Sequence, residues 1–169
     1  MRKESFNDSW MYHLGGGSAI EGLLGNTMQK AVTLPHDASV EMLQDDAALG
    51  GSGNGFFQEK NCYYTKTFTP VEADSEKEFW LEFEGVYQNA FVYVNGAYAG
   101  KHPYGYSPFI LNITKFLVFG QPNTIKVVVK NNVASGRWYT GTGIYRNVNL
   151  LVGNRLHLIS EGIHLGRCF

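Results

Sequence analysis

Residues 78–101, EFWLEFEGVYQNAFVYVNGAYAGK, contain the pattern that decides the fold. In the first part, Phe79, Leu81 and Phe83 recur at every second position, which is the period of a half-buried strand. The run 90–96 has the same period and ends in Asn95-Gly96, a dipeptide typical of two-residue hairpin turns. Residues 97–101 are then the return strand. The stretch predicts antiparallel pairing with one buried face.

The rest of the chain continues this period and contains little that favours helix. Further strands are predicted at 63–68, 124–130, 148–152 and 156–159. Only 40–48 and 112–117 have the composition of short helical turns. Eight to ten short strands predict an all-β protein, a β-sandwich or jelly roll with one or two short helical turns. Trp10 is predicted to lie in its core, and the loop 50–55, GGSGNG, to be flexible.

Length and charge limit the class of protein. The chain has 169 residues, enough for one domain with a core, and its formal net charge of −1 provides no basic field for nucleic acid. No apolar run approaches the roughly 20 residues of a membrane span, and the N-terminus lacks the apolar region of a secretory signal. Cys62 and Cys168 form neither a disulfide framework nor a metal motif. These features predict a cytoplasmic protein with reduced thiols and neither nucleic-acid nor membrane partners.

Motifs for metal or nucleophilic chemistry are missing from the sequence. The histidines are scattered without metal-ligand spacing, and no GxSxG segment occurs: His13, His36, His102, His157 and His164. The acidic turn 72–78 and the carboxylates of Glu82 and Glu84 are predicted to face solvent, so no pair stands in apolar surroundings that would separate two pKa values. His36-Asp37 is either a turn anchor or a substrate-orienting pair. The sequence predicts no catalytic residue, no metal site and no cofactor.

Aromatic side chains near the end of the chain are the candidates for binding. Residues 135–150 read SGRWYTGTGIYRNVNL, in which Arg137, Trp138 and Tyr139 precede closely spaced glycines. Tryptophan and tyrosine rings can stack on a sugar, arginine donates paired hydrogen bonds, and glycines allow the tight turns that display such groups. This loop therefore predicts a ligand or interface role. The turn 104–109, YGYSPF, either faces a ligand or packs internally.

Several segments in order carry a family resemblance. FNDSWMYHLG, VTLPHD, a GGxG loop, YYTKTF, LEFEGVYQNAFVYVNGAYAGKHPYGYSPFILNITKFL, NTIKVVVKN and SGRWYTGTGIYRNVNL together resemble the N-terminal sugar-binding domain of glycoside hydrolase family 2. That family includes β-galactosidases, β-glucuronidases and β-mannosidases, and the resemblance covers residues 6–152. It implies a jelly-roll domain similar to the galactose-binding fold over residues 1–152. Residues 153–169 would then be a closing strand and the start of a linker to an immunoglobulin-like domain.

The resemblance also implies what the chain lacks. In the family an immunoglobulin-like sandwich and a TIM barrel follow this domain, and the barrel carries both catalytic glutamates. The chain is therefore expected to be a fragment, beginning near the native start, of a retaining β-glycosidase most similar to a β-galactosidase. By itself it is expected to be inactive. Its expected partners are a β-galactoside or related carbohydrate and the other domains of the same polypeptide, with a homo-oligomeric parent left open.

Site residues follow from the resemblance position by position. Arg137 stands where related enzymes place an acidic residue that reaches sugar hydroxyls. Glu59 and Asn61 match a second segment that approaches the active site in some members. With Trp138 and Tyr139, they would form an accessory wall of the pocket in the parent enzyme. Two alternatives remain at this level, a free-standing carbohydrate-binding module and a structural interdomain or oligomer interface whose surface would include Trp80.

Overall fold

The computed structural model describes residues 1–15, 29–131 and 138–157. These residues contain ten strands: β1 (Arg2–Ser5), β2 (Trp10–Leu14), β3 (Lys30–Val32), β4 (Cys62–Phe68), β5 (Glu78–Phe83), β6 (Ala90–Val94), β7 (Ala97–His102), β8 (Phe109–Asn112), β9 (Asn123–Val129) and β10 (Val148–Gly153). Four single 3₁₀ turns accompany them in the described residues, at Ser39–Glu41, Gly51–Asn54, Glu72–Asp74 and Thr114–Phe116. In this part of the chain, no helix has the length and apolar character needed to span a bilayer.

The strands form two antiparallel sheets. One has four strands in the order β1-β10-β5-β8, and the other has six in the order β3-β2-β4-β9-β6-β7. Most neighbouring strands come from distant parts of the chain, as in the pairing of β4 with β9 from Cys62↔Val129 to Phe68↔Asn123, whereas β2–β3 and β6–β7 are consecutive. The all-β jelly-roll sandwich expected from the sequence is thereby confirmed.

The inner faces of the two sheets build the core. Phe79, Leu81 and Phe83 of β5 are buried, as the alternating pattern predicts, and Trp10 is fully buried. From the six-stranded sheet, β9 contributes Ile125, Val127 and Val129 at every second position. Burying each such side chain stabilises the fold by about 1.5–3 kcal/mol. The predicted hairpin is also present, with φ of 50° at Asn95 and 80° at Gly96 between β6 and β7.

Some local predictions were wrong. Residues 40–48 contain helical backbone only within the 3₁₀ turn Ser39–Glu41, and Leu156 and His157 belong to no strand. Residues 158 and 159 of that predicted strand lie outside the described residues. The loop 50–55 is not a loose linker, because its 3₁₀ turn is fixed by hydrogen bonds from Gly50 N and Asn54 Nδ2 to Glu59 Oε1 at 3.1 Å each.

The acidic residues predicted to face solvent are also not all solvated. Glu82 is buried because Lys3 of β1 ion-pairs with it at 2.5 Å and Asn149 donates a hydrogen bond to it at 2.9 Å. Asp74 is buried by contacts with Arg2 at 3.1 Å and Lys77 at 2.6 Å. The β1 strand, which pairs at the sheet edge with β10, covers both carboxylates.

A polar cluster lies in the core, on the inner face of the six-stranded sheet. The Tyr64 hydroxyl is 2.8 Å from His36 Nδ1, and the Tyr12 ring lies 4.5 Å from the His36 ring. The Tyr12 hydroxyl is buried without a hydrogen-bond partner among the described residues. Cys62 is a free, buried thiol beside them. Burial raises the pKa of Tyr12 and Tyr64 and raises that of Cys62 to about 12.

This cluster predicts alkaline unfolding. In the unfolded chain the thiol ionises near about pH 8.5 and tyrosines near about pH 10, whereas the folded chain keeps these protons. The contribution of these protonated groups to the free energy of unfolding is therefore fully present below about pH 8.5. It falls as pH rises, by about 1.4 kcal/mol per pH unit for each group whose unfolded pKa has been passed. Melting temperatures measured from neutral to alkaline pH test this. Tyr12→Phe should show a shallower decline, and equal slopes for both proteins would contradict the assignment.

Candidate functional site

The loop that contains Trp138 and Tyr139 is held to the sandwich by a carboxylate. Asp37 accepts hydrogen bonds from the backbone N–H groups of Ser39 and Thr142, both at 2.9 Å. Its second oxygen accepts a hydrogen bond from the Tyr139 hydroxyl at 2.5 Å. One side chain thus satisfies three donors, two of them in the binding loop. Of the two sequence interpretations of His36-Asp37, this geometry gives Asp37 the role of a turn anchor.

A second polar contact joins this loop to the glycine-rich loop. The Asn54 side chain accepts a hydrogen bond from Thr140 N at 3.3 Å and donates to Glu59 Oε1 and the Phe57 carbonyl. Asn54 is buried, so its hydrogen bonds are made away from water. The Phe57 ring packs edge-on against Tyr139 with centroids 5.0 Å apart. Glu59 therefore supports the loop through Asn54.

Deeper in the sandwich, the end of the loop is locked by backbone pairing. Gly143 and Tyr87 exchange two hydrogen bonds of 2.9 Å each. The buried Asn131 side chain donates to the Gly141 carbonyl at 3.2 Å and to Thr142 Oγ1 at 2.6 Å. These contacts give the exposed residues above them a fixed base.

Exposed aromatic side chains cover this end of the sandwich. Trp138 is 59% exposed, and its indole N–H donates to the Tyr106 hydroxyl at 3.1 Å. Tyr106 in turn packs against Tyr104, with centroids 5.7 Å apart. The turn 104–109 is thereby brought beside the predicted loop. We call Tyr104, Tyr106, Trp138 and Tyr139 the aromatic end.

The aromatic end is suited to contact with a ligand. Burial, followed by the hydrogen bond to Asp37, raises the pKa of Tyr139 above its ordinary range. The Asp37 carboxylate beside it is occupied by the three donors already named. Across residues 1–15, 29–131 and 138–157, no group of three or more His, Cys, Asp or Glu side chains is placed to hold a metal ion. The arrangement offers ring faces and hydroxyls to a ligand.

The predicted site residues have different outcomes. Trp138, Tyr139 and Glu59 are brought into one connected region. Arg137 lies outside the described residues. Asn61 is not linked to them by any described contact, because its carbonyl accepts Gly15 N at 2.7 Å and its side-chain oxygen is buried without a described partner.

Sequence reasoning missed one contributor to the site, Asn54, and left the role of a second, Tyr106, open. Asn54 has no distinguishing local pattern, since its neighbours are glycines and a serine. Tyr106 belongs to a turn whose sequence allows either ligand contact or packing, and the structure gives it both exposure and a hydrogen bond to Trp138. The sequence YGYSP of that turn, with its tyrosines and glycine, is the signal from which an exposed Tyr106 could have been predicted.

Known proteins are similar to this chain in sequence and in fold. A family model described as glycosyl hydrolases family 2, sugar binding domain, matches residues 55–153. A β-galactosidase, BoGH2A, from Bacteroides ovatus is 37% identical over 96% of this chain. A putative β-glucuronidase from Formosa agariphila is 36% identical over 90% of it. The crystal structure of a glycosyl hydrolase family 2 member from Bacteroides cellulosilyticus matches with a TM-score of 0.83, at 35% identity over 91% of this chain.

These relatives are much longer than the chain. It covers 19% of the Bacteroides ovatus enzyme and 21% of the Bacteroides cellulosilyticus chain, so it spans about a fifth of their length. The matched segment includes β4 to β10 and the aromatic end, which is more than half of the chain. The chain therefore belongs to glycosyl hydrolases family 2, as a sugar-binding domain of that family.

Proposed function

We propose that this chain is the non-catalytic N-terminal domain of a retaining β-glycosidase, and that its aromatic end forms an accessory wall of the parent's active site. The observation that carries the proposal is that exposed rings stand on a rigid hydrogen-bonded base. A fixed wall can orient the non-reacting part of a substrate while another domain performs the chemistry. Residues 1–152 are the proposed domain, with 153–169 leading toward the next one.

A β-galactosidase is the proposed parent activity. Support comes from the Bacteroides ovatus β-galactosidase, which aligns over nearly the whole chain. Relatives named as β-glucuronidases align almost as far, so the substrate must be measured directly. The test is to extend the chain to its full natural polypeptide and compare hydrolysis of nitrophenyl β-galactoside and nitrophenyl β-glucuronide. Faster turnover of the glucuronide would contradict the galactosidase assignment.

The isolated 169-residue chain is expected to hydrolyse neither substrate. A retaining glycosidase needs a carboxylate nucleophile and a carboxylic acid about 5–5.5 Å apart, flanking the scissile bond. The carboxylate beside the aromatic end is that of Asp37, which is held by hydrogen bonds to the loop. Turnover by the purified chain above the buffer rate would contradict this. Sub-millimolar galactoside binding by the chain alone would instead favour a free-standing carbohydrate-binding module.

The wall itself can be tested in the full polypeptide with Trp138→Ala. Loss of a stacking ring should raise KM by roughly tenfold, because aromatic contacts contribute about 0.5–1.5 kcal/mol beyond the area they bury. Tyr98→Ala is the matched control, since Tyr98 is a similarly exposed aromatic residue on β7, outside the aromatic end. Equal effects of the two substitutions would contradict a specific role for the aromatic end.

A further inference from the structure

A groove lies on the outer face of the four-stranded sheet, away from the aromatic end. Its volume is about 440 Å³, within the range of small-ligand sites. It is lined by Met1, Glu78, Trp80, Ile110, Asn112, Leu151 and His157. None of these residues belongs to the aromatic end or to the loops that support it.

The floor of the groove is apolar and is made by adjacent strands. Trp80 on β5 pairs with Leu151 on β10 and with Asn112 on β8, so the three side chains lie side by side across the sheet. Trp80 is half-buried, and the His157 ring packs edge-on against it with centroids 4.6 Å apart. Exposed Ile110 extends the apolar surface. The part of the indole that His157 leaves uncovered adds to this apolar surface.

The edges of the groove carry unused hydrogen-bonding groups. Glu78 Oε2 accepts a 3.3 Å hydrogen bond from Asn112, which leaves Oε1 without a partner among the described residues. The His157 Nδ1–H donates to the Asn154 carbonyl at 2.8 Å, so Nε2 of the neutral ring remains an acceptor. The Trp80 indole N–H likewise has no hydrogen bond within the described part of the chain. Two acceptors and one donor thus surround the apolar floor.

We propose that this groove is a second saccharide site that binds pyranosides. A pyranose ring has an apolar face that fits an indole and a rim of hydroxyls that can both donate and accept hydrogen bonds. Glu78 supplies a carboxylate at the rim that can accept hydrogen bonds from these hydroxyls.

The three tryptophans allow binding to be located in the intact 169-residue chain. Titration with methyl β-D-galactopyranoside should shift the Trp80 indole N–H resonance in a ¹H–¹⁵N spectrum while leaving buried Trp10 unchanged. A shift of the Trp138 resonance alone would report the aromatic end and overturn the second site. No Trp80 shift at roughly 50 mM galactoside, far above a millimolar Kd, would overturn it as well.

Variants test the proposal. Trp80→Ala should weaken galactoside binding about tenfold, whereas Tyr98→Ala, which changes an exposed aromatic residue on β7 away from the groove, should leave it unchanged. Equal effects of the two substitutions would overturn the proposal. The Trp80 resonance of the wild type decides it even if Trp80→Ala fails to fold.

Discussion

Gly143→Ala is expected to destabilise the domain by roughly 3 kcal/mol or more, because the added methyl group meets both backbone strain and a buried neighbour. Gly143 has a φ of 134°, and a Cβ at this position would lie 2.3 Å from the Tyr64 hydroxyl and 2.8 Å from the His36 carbonyl. Tyr64 is fully buried, so it cannot move aside into solvent. The left-handed backbone costs about 1–2 kcal/mol for a residue with a Cβ, and overpacking adds about 1–3 kcal/mol.

Urea unfolding of matched glycine variants separates the two contributions. Gly51 has a φ of 50° but open space where an added methyl group would stand, so Gly51→Ala should show only the backbone cost of about 1 kcal/mol. Gly153→Ala places its methyl 3.5 Å from Trp80, an ordinary contact, and should be nearly neutral. If Gly143→Ala were as mild as Gly51→Ala, the close packing of the loop against Tyr64 would be wrong. The m value should stay constant across the series.

The sheets were predictable because their signal is local. In β5, β6 and β9 a side chain points inward at every second residue, and the apolar residues of the sequence occupy those positions. The turn at Asn95-Gly96 needs positive φ at both residues, which these two residue types adopt readily. Neither inference depends on knowing where the distant strands pair.

Burial of acidic side chains was not predictable, because it depends on contacts between distant parts of the chain. Glu82 alternates with apolar neighbours and so reads as solvent-facing, and the strand pattern is correct in placing it on the outer face. What covers it is Lys3, from a strand that pairs at the far edge of β10. Asp74 is likewise enclosed by Arg2, which lies 72 residues away. Contacts of this kind depend on the order of strands in the sheet, which the sequence pattern leaves open.

The candidate site was likewise predictable only where its signal is local. Trp138 and Tyr139 could be predicted as displayed residues, because glycines with positive φ follow them at 141 and 143. The contacts that hold the display, from Asp37 and Asn54, span 105 and 86 residues. Asn61 is not linked to this region by a described contact, and its carbonyl accepts a hydrogen bond from Gly15 N.

Asp37→Ala is expected to release the binding loop and to lower the free energy of unfolding by about 2–4 kcal/mol. The substitution removes the acceptor for three donors, Ser39 N, Thr142 N and the Tyr139 hydroxyl. Hydrogen bonds to charged groups contribute about 1.5–3 kcal/mol each, but the partly exposed donors can recover bonds to water. Urea unfolding measures the total effect.

Two conservative variants resolve which donor matters most. Asp37→Asn keeps one carbonyl oxygen for the two backbone N–H groups and should cost about 1 kcal/mol, and Tyr139→Phe removes only the hydroxyl contact. Amide exchange gives the sharper readout, because the Thr142 N–H should lose protection in Asp37→Ala and keep it in Tyr139→Phe. If Thr142 exchanged equally slowly in both variants, Asp37 would not be the anchor of the loop. Loss of protection confined to Ser39 and Thr142, with β9 unchanged, would show that the aromatic end can be loosened without unfolding the sandwich on which it stands.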